Sequence, residues 1–303
     1  MPRARFSGIH IPVVTPFNKA NAFDRDAMAT LIDRLIAAGV NGIAPCGTTG
    51  ESATLSHEEH REVIEFTARV TAKRAFLIAG TGSNSTAEAV ALTRHAEQIG
   101  ADAALLICPY YNRPTQAGLV EHFRAVADST SLPIIMYNIP KRTGVNMEAA
   151  TTIELSRVPN IVGIKEASGD LEQIMQIIAR TEDFNVLTGD DALLYPLGAL
   201  GAHGGIMAAA HVATDQWVKL WRCVEAGDLA GARKLHYHLL PLVKALFHET
   251  NPSPLKAALE MTGIAAGNPR LPLLPATESC RQALTRELGR LGLLPGGSRE
   301  SGA

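Results

Sequence analysis

The chain has 303 residues, 46% apolar and 19% charged, with a formal net charge of -2. That length and apolar share can fill a large buried core, while the near-neutral balance leaves no basic field for a phosphate backbone, so nucleic acid is not an expected partner. No apolar run approaches the length of a membrane span, so no membrane association is expected either. The first residues, MPRARFSGIHIPVVTPF, place two arginines ahead of an apolar stretch. Pro12 and Pro16 interrupt that stretch and no small-residue cleavage pattern follows, so it reads as a first strand rather than a signal. Short runs rich in Val, Ile, Leu and Ala then recur at 8–17, 39–47, 75–82, 101–111, 133–140, 161–168, 184–191 and 201–210. Between them lie amphipathic stretches such as DRDAMATLIDRLIAAG and SHEEHREVIEFTARVTAK, opened by Ser or Asp and often closed by Gly, as capped helices require. Cys46, Cys108, Cys223 and Cys280 are far apart and form no CxxC pair, which points to reduced thiols and a cytoplasmic setting.

Eight strand-helix units predict an α/β fold, a (β/α)8 TIM barrel. An open doubly wound sheet is the alternative, but GTGSNS at 80–85 lacks the third glycine of a dinucleotide fingerprint. After residue 210 the strand pattern stops: 213–246, 253–262 and 276–292 read as helices, with NPSP at 251–254 marking a start. The expected division is a barrel over 1–225, a C-terminal helical domain over 226–295 and a disordered tail over 296–303.

In such a barrel the chemistry sits at the C-terminal ends of the strands. GTTGES (47–52) offers backbone N–H groups and hydroxyls to a small anion, or serves only as a capped turn. PYYNRPT (109–115) carries adjacent tyrosines, Tyr110 and Tyr111, whose rings point opposite ways if the strand continues through them. YNIPKRTG (137–144) brings the phenol of Tyr137 close to Arg142, a residue suited to clamp a carboxylate or simply a solvated loop cation. IVGIKEASGD (161–170) places Lys165 at the end of an apolar strand. A strand lysine can snorkel to solvent. At a barrel-lining position, desolvation instead disfavours the ammonium and frees an amine that attacks ketones to form a Schiff base. Tyr137, Thr48 and one of the paired tyrosines are then placed to carry protons. A metal-dependent aldolase is the rival reading. His57 and His60 stand at i and i+3, and His203 and His211 flank the eighth strand, but no third ligand accompanies the pair, so no metal or cofactor is expected. A binding module without turnover is a further rival, disfavoured by the joint presence of Lys165, Tyr137 and Thr48.

Through GTTGES, PYYNRPT, YNIPKRTG, GIKEASGD, TGDDA and NPSPLKAALEMTG, the chain resembles the dihydrodipicolinate synthase and N-acetylneuraminate lyase family of class I, pyruvate-dependent aldolases, from about residue 6 to about 290. The arginine of YNIPKRTG favours the synthase branch. The resemblance implies that Lys165 captures pyruvate as an imine, that Tyr137 is the general acid/base beside it, and that Thr48 links Tyr137 to Tyr111, which reaches into a neighbouring subunit's site. It implies that Thr49 binds the pyruvate carboxylate, with Ile206 and Gly189 also lining the substrate, and that Arg142 holds the carboxylate of L-aspartate 4-semialdehyde. The implied product is 4-hydroxy-tetrahydrodipicolinate, at the entry to diaminopimelate and lysine synthesis, formed by a homotetramer built as a dimer of dimers. Paralogues on the same scaffold take other aldehydes, so the second substrate stays open. Members regulated by L-lysine bind it with residues matching Ser52, Ala53, His57, His60, Asn84, Glu88 and Tyr110. The plainer readings are a capping role for Glu88, three residues after Ser85, and a solvated surface position for His60.

Overall fold

The computed structural model describes residues 6–295; the tail expected to be disordered, 296–303, lies outside the described residues. Eight parallel strands close in sequence order into one barrel: β1 (Gly8–Ile11), β2 (Gly42–Ile43), β3 (Phe76–Gly80), β4 (Ala103–Ile107), β5 (Ile134–Asn138), β6 (Ile161–Glu166), β7 (Asn185–Thr188) and β8 (Gly204–Ile206). Each lies within one of the eight apolar runs, and closure overturns the open-sheet alternative. β8 returns to β1 with Gly8 opposite Gly204 and His10 opposite Ile206. The strands approach so closely there that a Cβ on Gly204, whose φ is +128°, would lie 2.0 Å from the Gly8 carbonyl oxygen; only glycine fits.

The runs are apolar throughout because both faces are covered. Ala44, Ile78, Leu105, Ile135, Leu187 and Ile206 point inward and pack together with Phe6. Their alternating neighbours Ile43, Ala79, Leu106, Met136, Ile164 and Val186 point outward into a second core shared with the surrounding helices. Those helices are α1 (Arg25–Ala37), α2 (His57–Thr71), α3 (Thr86–Gln98), α4 (Gln116–Ala127), α5 (Pro140–Thr143), α6 (Ala149–Leu155), α7 (Leu171–Arg180) and α8 (Leu194–Ala199). Local signals start them as expected. Asp24, Thr115 and Asp170 each accept a backbone N–H of the first turn, and Ser56 with Glu59 forms a full capping box on α2.

After β8 come α9 (Thr214–Glu225), α10 (Leu229–Leu246), α11 (Ser253–Met261) and α12 (Glu278–Arg290). The single helix expected over 213–246 is therefore two. Gly227 has a φ of +75°, which ends the first, and the Asp228 side chain accepts the Gly231 N–H at 2.9 Å, which starts the second; this is the ordinary glycine stop followed by an aspartate cap. α9 packs on β1, α8 and α10, and α10, α11 and α12 also pack on one another. α11 also packs against the 3-10 turn Ala209–His211 that follows β8, which carries the C-terminal segment to the mouth of the barrel. Among the described residues no helix is long and apolar enough to cross a membrane.

Candidate active site

Tyr137 on β5 and Lys165 on β6 are register partners. Tyr137 belongs to the inward-facing cluster, and the Lys165 amine lies 4.2 Å from the centre of its ring. Both are buried, Lys165 to 6% exposure, so the snorkelling alternative does not describe it. The lysine stem runs over Gly189, where a Cβ would stand 2.8 Å from Lys165 Cε and 3.0 Å from Cγ. Glycine there clears the path of the side chain. Two residues on sits Asp191, 2% exposed and accepting the Ala209 N–H at 2.6 Å. Burial pushes its pKa from 3.8 up to about 7, against the pull of the Ala209 N–H and of the nearby Lys165 charge.

Glu166, next in the strand, points the opposite way. Its Oε1 accepts the Ser168 N–H at 2.6 Å, and its Oε2 accepts from Asn138 Nδ2 at 3.0 Å and Gln173 Nε2 at 3.2 Å. Burial raises its pKa while these bonds lower it. The network ties the end of β6 to β5 and α7, and so fixes the strand on which Lys165 stands.

The loop after β2 supplies Thr48, half-buried, and Thr49, 3% exposed. Asn251, from the segment between α10 and α11, donates from Nδ2 to Thr49 Oγ1 at 2.9 Å, and its carbonyl accepts from Arg142 Nη2 at 3.2 Å. Ile206 ends β8 facing inward, 1% exposed. Thr48, Tyr137, Arg142 and Asn251 line one end of a cavity of about 530 Å³. Lys165 is not part of that wall; its amine lies against the Tyr137 ring. At its other end the same cavity is lined by Ser52, Ala53, His57, His60, Glu88 and Tyr110. Asn84 is outside the wall, its carbonyl holding Asn112 Nδ2 at 2.9 Å.

The paired tyrosines correct the sequence reading. β4 stops at Ile107, so strand alternation does not apply to them. They part because Tyr111 adopts a φ of +70°, which leaves it 89% exposed while Tyr110 lines the cavity. One chain alone therefore does not assemble a Tyr137–Thr48–Tyr111 relay. Of the plain readings of the second cavity end, the solvated His60 fails and the capping role of Glu88 holds in part. His60 is buried, and burial holds its pKa down to about 4 despite a bond to the Gly80 backbone. Glu88 forms only half of a capping box: its N–H donates to Ser85 Oγ, but the Ser85 N–H donates to Ser83 Oγ at 3.0 Å, while the Glu88 carboxylate accepts from the Ser83 hydroxyl at Oε2 and faces His57 Nε2 at 3.3 Å with Oε1. His203 accepts the Val186 N–H and His211 the Val14 N–H. Among the described residues no three His, Cys, Asp or Glu side chains gather into a metal-sized group.

Sequence reasoning missed a buried ion pair beneath the β2 loop. Lys256 on α11 meets Glu51 at 2.6 Å, with the side chains 1% and 2% exposed. Arg270 joins them, its N–H on Glu51 Oε2 at 2.8 Å and its guanidinium on both oxygens of Glu59 at 2.6 and 2.8 Å. Lys256 and Arg270 both lie over the Phe17 ring, at 4.2 and 4.1 Å.

A closed parallel barrel that sets one buried primary amine against a phenol, beside a mouth of hydroxyls and a guanidinium, defines a lyase that works through a lysine imine. The chain belongs to the dihydrodipicolinate synthetase family, whose model matches residues 5–291. It is 48% identical to the 4-hydroxy-tetrahydrodipicolinate synthase of Methanothrix thermoacetophila over 97% of this chain and 100% of that one. Among solved structures, the chloride-inhibited dihydrodipicolinate synthase of Acinetobacter baumannii complexed with pyruvate superposes with a TM-score of 0.92 at 42% identity, covering 95% of this chain and 99% of that one. The enzyme of Cyanidioschyzon merolae with lysine bound gives 0.93 at 40% identity over 95% and 99%.

Proposed function

We propose that this chain makes 4-hydroxy-tetrahydrodipicolinate from pyruvate and L-aspartate 4-semialdehyde, with Lys165 as the amine that captures pyruvate. The observation that carries this reading is the buried Lys165 amine 4.2 Å from the Tyr137 ring at the barrel mouth. The Lys165 amine adds to the pyruvate ketone and water leaves, forming an imine. The imine withdraws electrons, so the methyl carbon loses a proton and becomes an enamine, which attacks the aldehyde carbon. The amine of the second substrate then attacks the imine carbon and displaces Lys165, closing the ring. Tyr137 and Thr48 are the groups placed to move protons, Thr49 with the backbones at Ile206 and Gly189 holds the pyruvate, and Arg142 holds the carboxylate of the aldehyde.

The assembly we propose is a homotetramer of two tight dimers, in which Tyr111 completes the site of a neighbouring subunit; a tyrosine 89% exposed on a single chain supports it. L-Lysine is the proposed effector, bound at the cavity end formed by His57, Glu88 and Tyr110.

Borohydride reduction of the enzyme with pyruvate tests the central step. It is expected to add a lactyl-sized mass to the peptide containing Lys165, and Lys165→Ala is expected to abolish the adduct. Trapping on another lysine, or none in the wild type, refutes the imine reading, while trapping without semialdehyde turnover moves the assignment to another aldehyde.

A further inference from the structure

Asn251 is 7% exposed and enters the site from the C-terminal part of the chain. It touches two groups assigned to two different carboxylates: its side chain donates to the Thr49 hydroxyl and its carbonyl accepts from Arg142. We propose that Asn251 is a positioning residue that sets the polarity of the Thr49 hydroxyl, turning its hydrogen toward the carboxylate of pyruvate, while it steadies Arg142 at the same mouth. This rests on the reading of Lys165 as the pyruvate-capturing amine.

The hydrogen-bond inventory at Thr49 shows why. A threonine hydroxyl has one hydrogen and two lone pairs, and a carboxylate can only accept. The amide N–H of Asn251 occupies a lone pair of Thr49 Oγ1, so the hydroxyl hydrogen must point elsewhere. Among the described residues nothing takes it: the bond from Asn251 is the one interaction of that hydroxyl. A buried donor with its orientation fixed and its hydrogen unspent is prepared for an anion. Arg142 is in a comparable state. Its guanidinium sits on the four-residue α5, bonds the Asn251 carbonyl and makes no ion pair among the described residues, so its full charge faces the mouth. Both anion-handling groups thus take their orientation from one residue outside the eight strand-helix units.

The choice of side chain follows from the same inventory. An aspartate at 251 would accept the Thr49 hydrogen, reverse the hydroxyl and bring a negative charge beside an arriving anion. An alanine would only release the hydroxyl to rotate. The two substitutions therefore separate polarity from contact.

The experiment uses the full-length enzyme. It measures Lys165 adduct formed with borohydride across a pyruvate series, together with steady-state kcat and KM, in the wild type, Asn251→Asp and Asn251→Ala. Asn251→Asp is expected to raise the half-saturating pyruvate by about 10- to 100-fold, the range for losing a hydrogen bond to a charged group. Its adduct at saturating pyruvate is retained, so the loss falls on KM more than on kcat. Asn251→Ala is expected to raise half-saturation by about 3- to 10-fold. If the aspartate variant does not fold, as read by its thermal midpoint, the alanine variant decides alone. Half-saturation within about twofold of wild type in either folded variant overturns the proposal, and equal rises in both overturn the polarity argument. Failure of the wild type to form any adduct strikes the imine reading itself and is told apart because the variants play no part in it.

Discussion

At Asp191 desolvation outweighs every favourable contact: the carboxyl accepts the Ala209 N–H and lies near the Lys165 charge, yet its pKa rises from 3.8 to about 7. Proton binding is therefore tighter in the folded chain than in the unfolded one, and the sign of the pH dependence follows. The contribution to stability is complete below pH 3.8 and is lost as pH climbs through about 7. An asparagine keeps an oxygen for the Ala209 N–H but titrates nothing. In urea unfolding, the stability of wild type relative to Asp191→Asn is expected to fall by roughly 2–4 kcal/mol from about pH 4 to about pH 7.5. Parallel pH curves for the two proteins would show that Asp191 binds its proton no more tightly in the fold than in the unfolded chain. Nothing in the sequence distinguishes Asp191 from its neighbour Asp190. Only burial does so, and burial depends on the 3-10 turn Ala209–His211 packing over it.

Among elements, the contact that most constrains the site joins segments about two hundred residues apart. The β2 loop carries Thr48 and Thr49, and just beyond them Glu51 takes a φ of +56°, a strained position for a residue with a side chain. Lys256 from α11 and the Arg270 N–H hold its carboxylate. Removing one member leaves the other charge buried, so Lys256→Met is expected to destabilise the fold by ~3–5 kcal/mol, with Glu51→Gln in the same protein restoring part of the loss. Denaturant midpoints decide this; a single variant within ~1 kcal/mol of wild type sinks the claim. Both residues lie in motifs visible in the sequence, Glu51 in GTTGES and Lys256 in NPSPLKAALEMTG, but nothing local to either motif shows that the two segments meet. The strands were legible for the opposite reason: burial on both faces writes an unbroken apolar run, and Lys165 stood out as an exception to one. The break between α9 and α10 was also written locally, in Gly227 and Asp228, but the apolar periodicity on either side hid it. The tyrosines misled because strand alternation was extended past Ile107 into a loop whose backbone turns left-handed at Tyr111. Of the candidate site, the parts that lie on strand ends were legible, and Asn251, which reaches Thr49 from 202 residues away, was not.

On the scale of the whole molecule, one cavity of about 530 Å³ runs from Arg142 and Tyr137 to His57 and Glu88, so a ligand at the second end shares a wall with the reaction. Glu88 has both carboxylate oxygens engaged there, Oε2 by the Ser83 hydroxyl and Oε1 by His57. Its backbone N–H, not its carboxylate, caps α3 on Ser85, and its Oε1 meets His57 at the exposed end of the cavity. A lysine ammonium entering that end competes with His57 for the carboxylate, and Tyr110, which lines the same cavity one residue before the protruding Tyr111, is the shortest mechanical route from effector to proton relay. A lysine titration of initial rate at fixed pyruvate and semialdehyde is expected to give partial, saturable inhibition. In Glu88→Ala the half-inhibitory lysine concentration is expected to rise about tenfold or more, the consequence of losing a charged hydrogen-bond partner. The alanine keeps the backbone N–H that caps α3, so uninhibited activity is expected to stay near wild type, which separates loss of the effector from loss of the helix. His57→Ala is expected to weaken inhibition less, since it removes a neighbour of the carboxylate rather than the carboxylate. If the wild-type rate does not respond to lysine at any concentration, the effector assignment is wrong, and the His57–Glu88 contact is an ordinary polar contact at the edge of the active-site cavity.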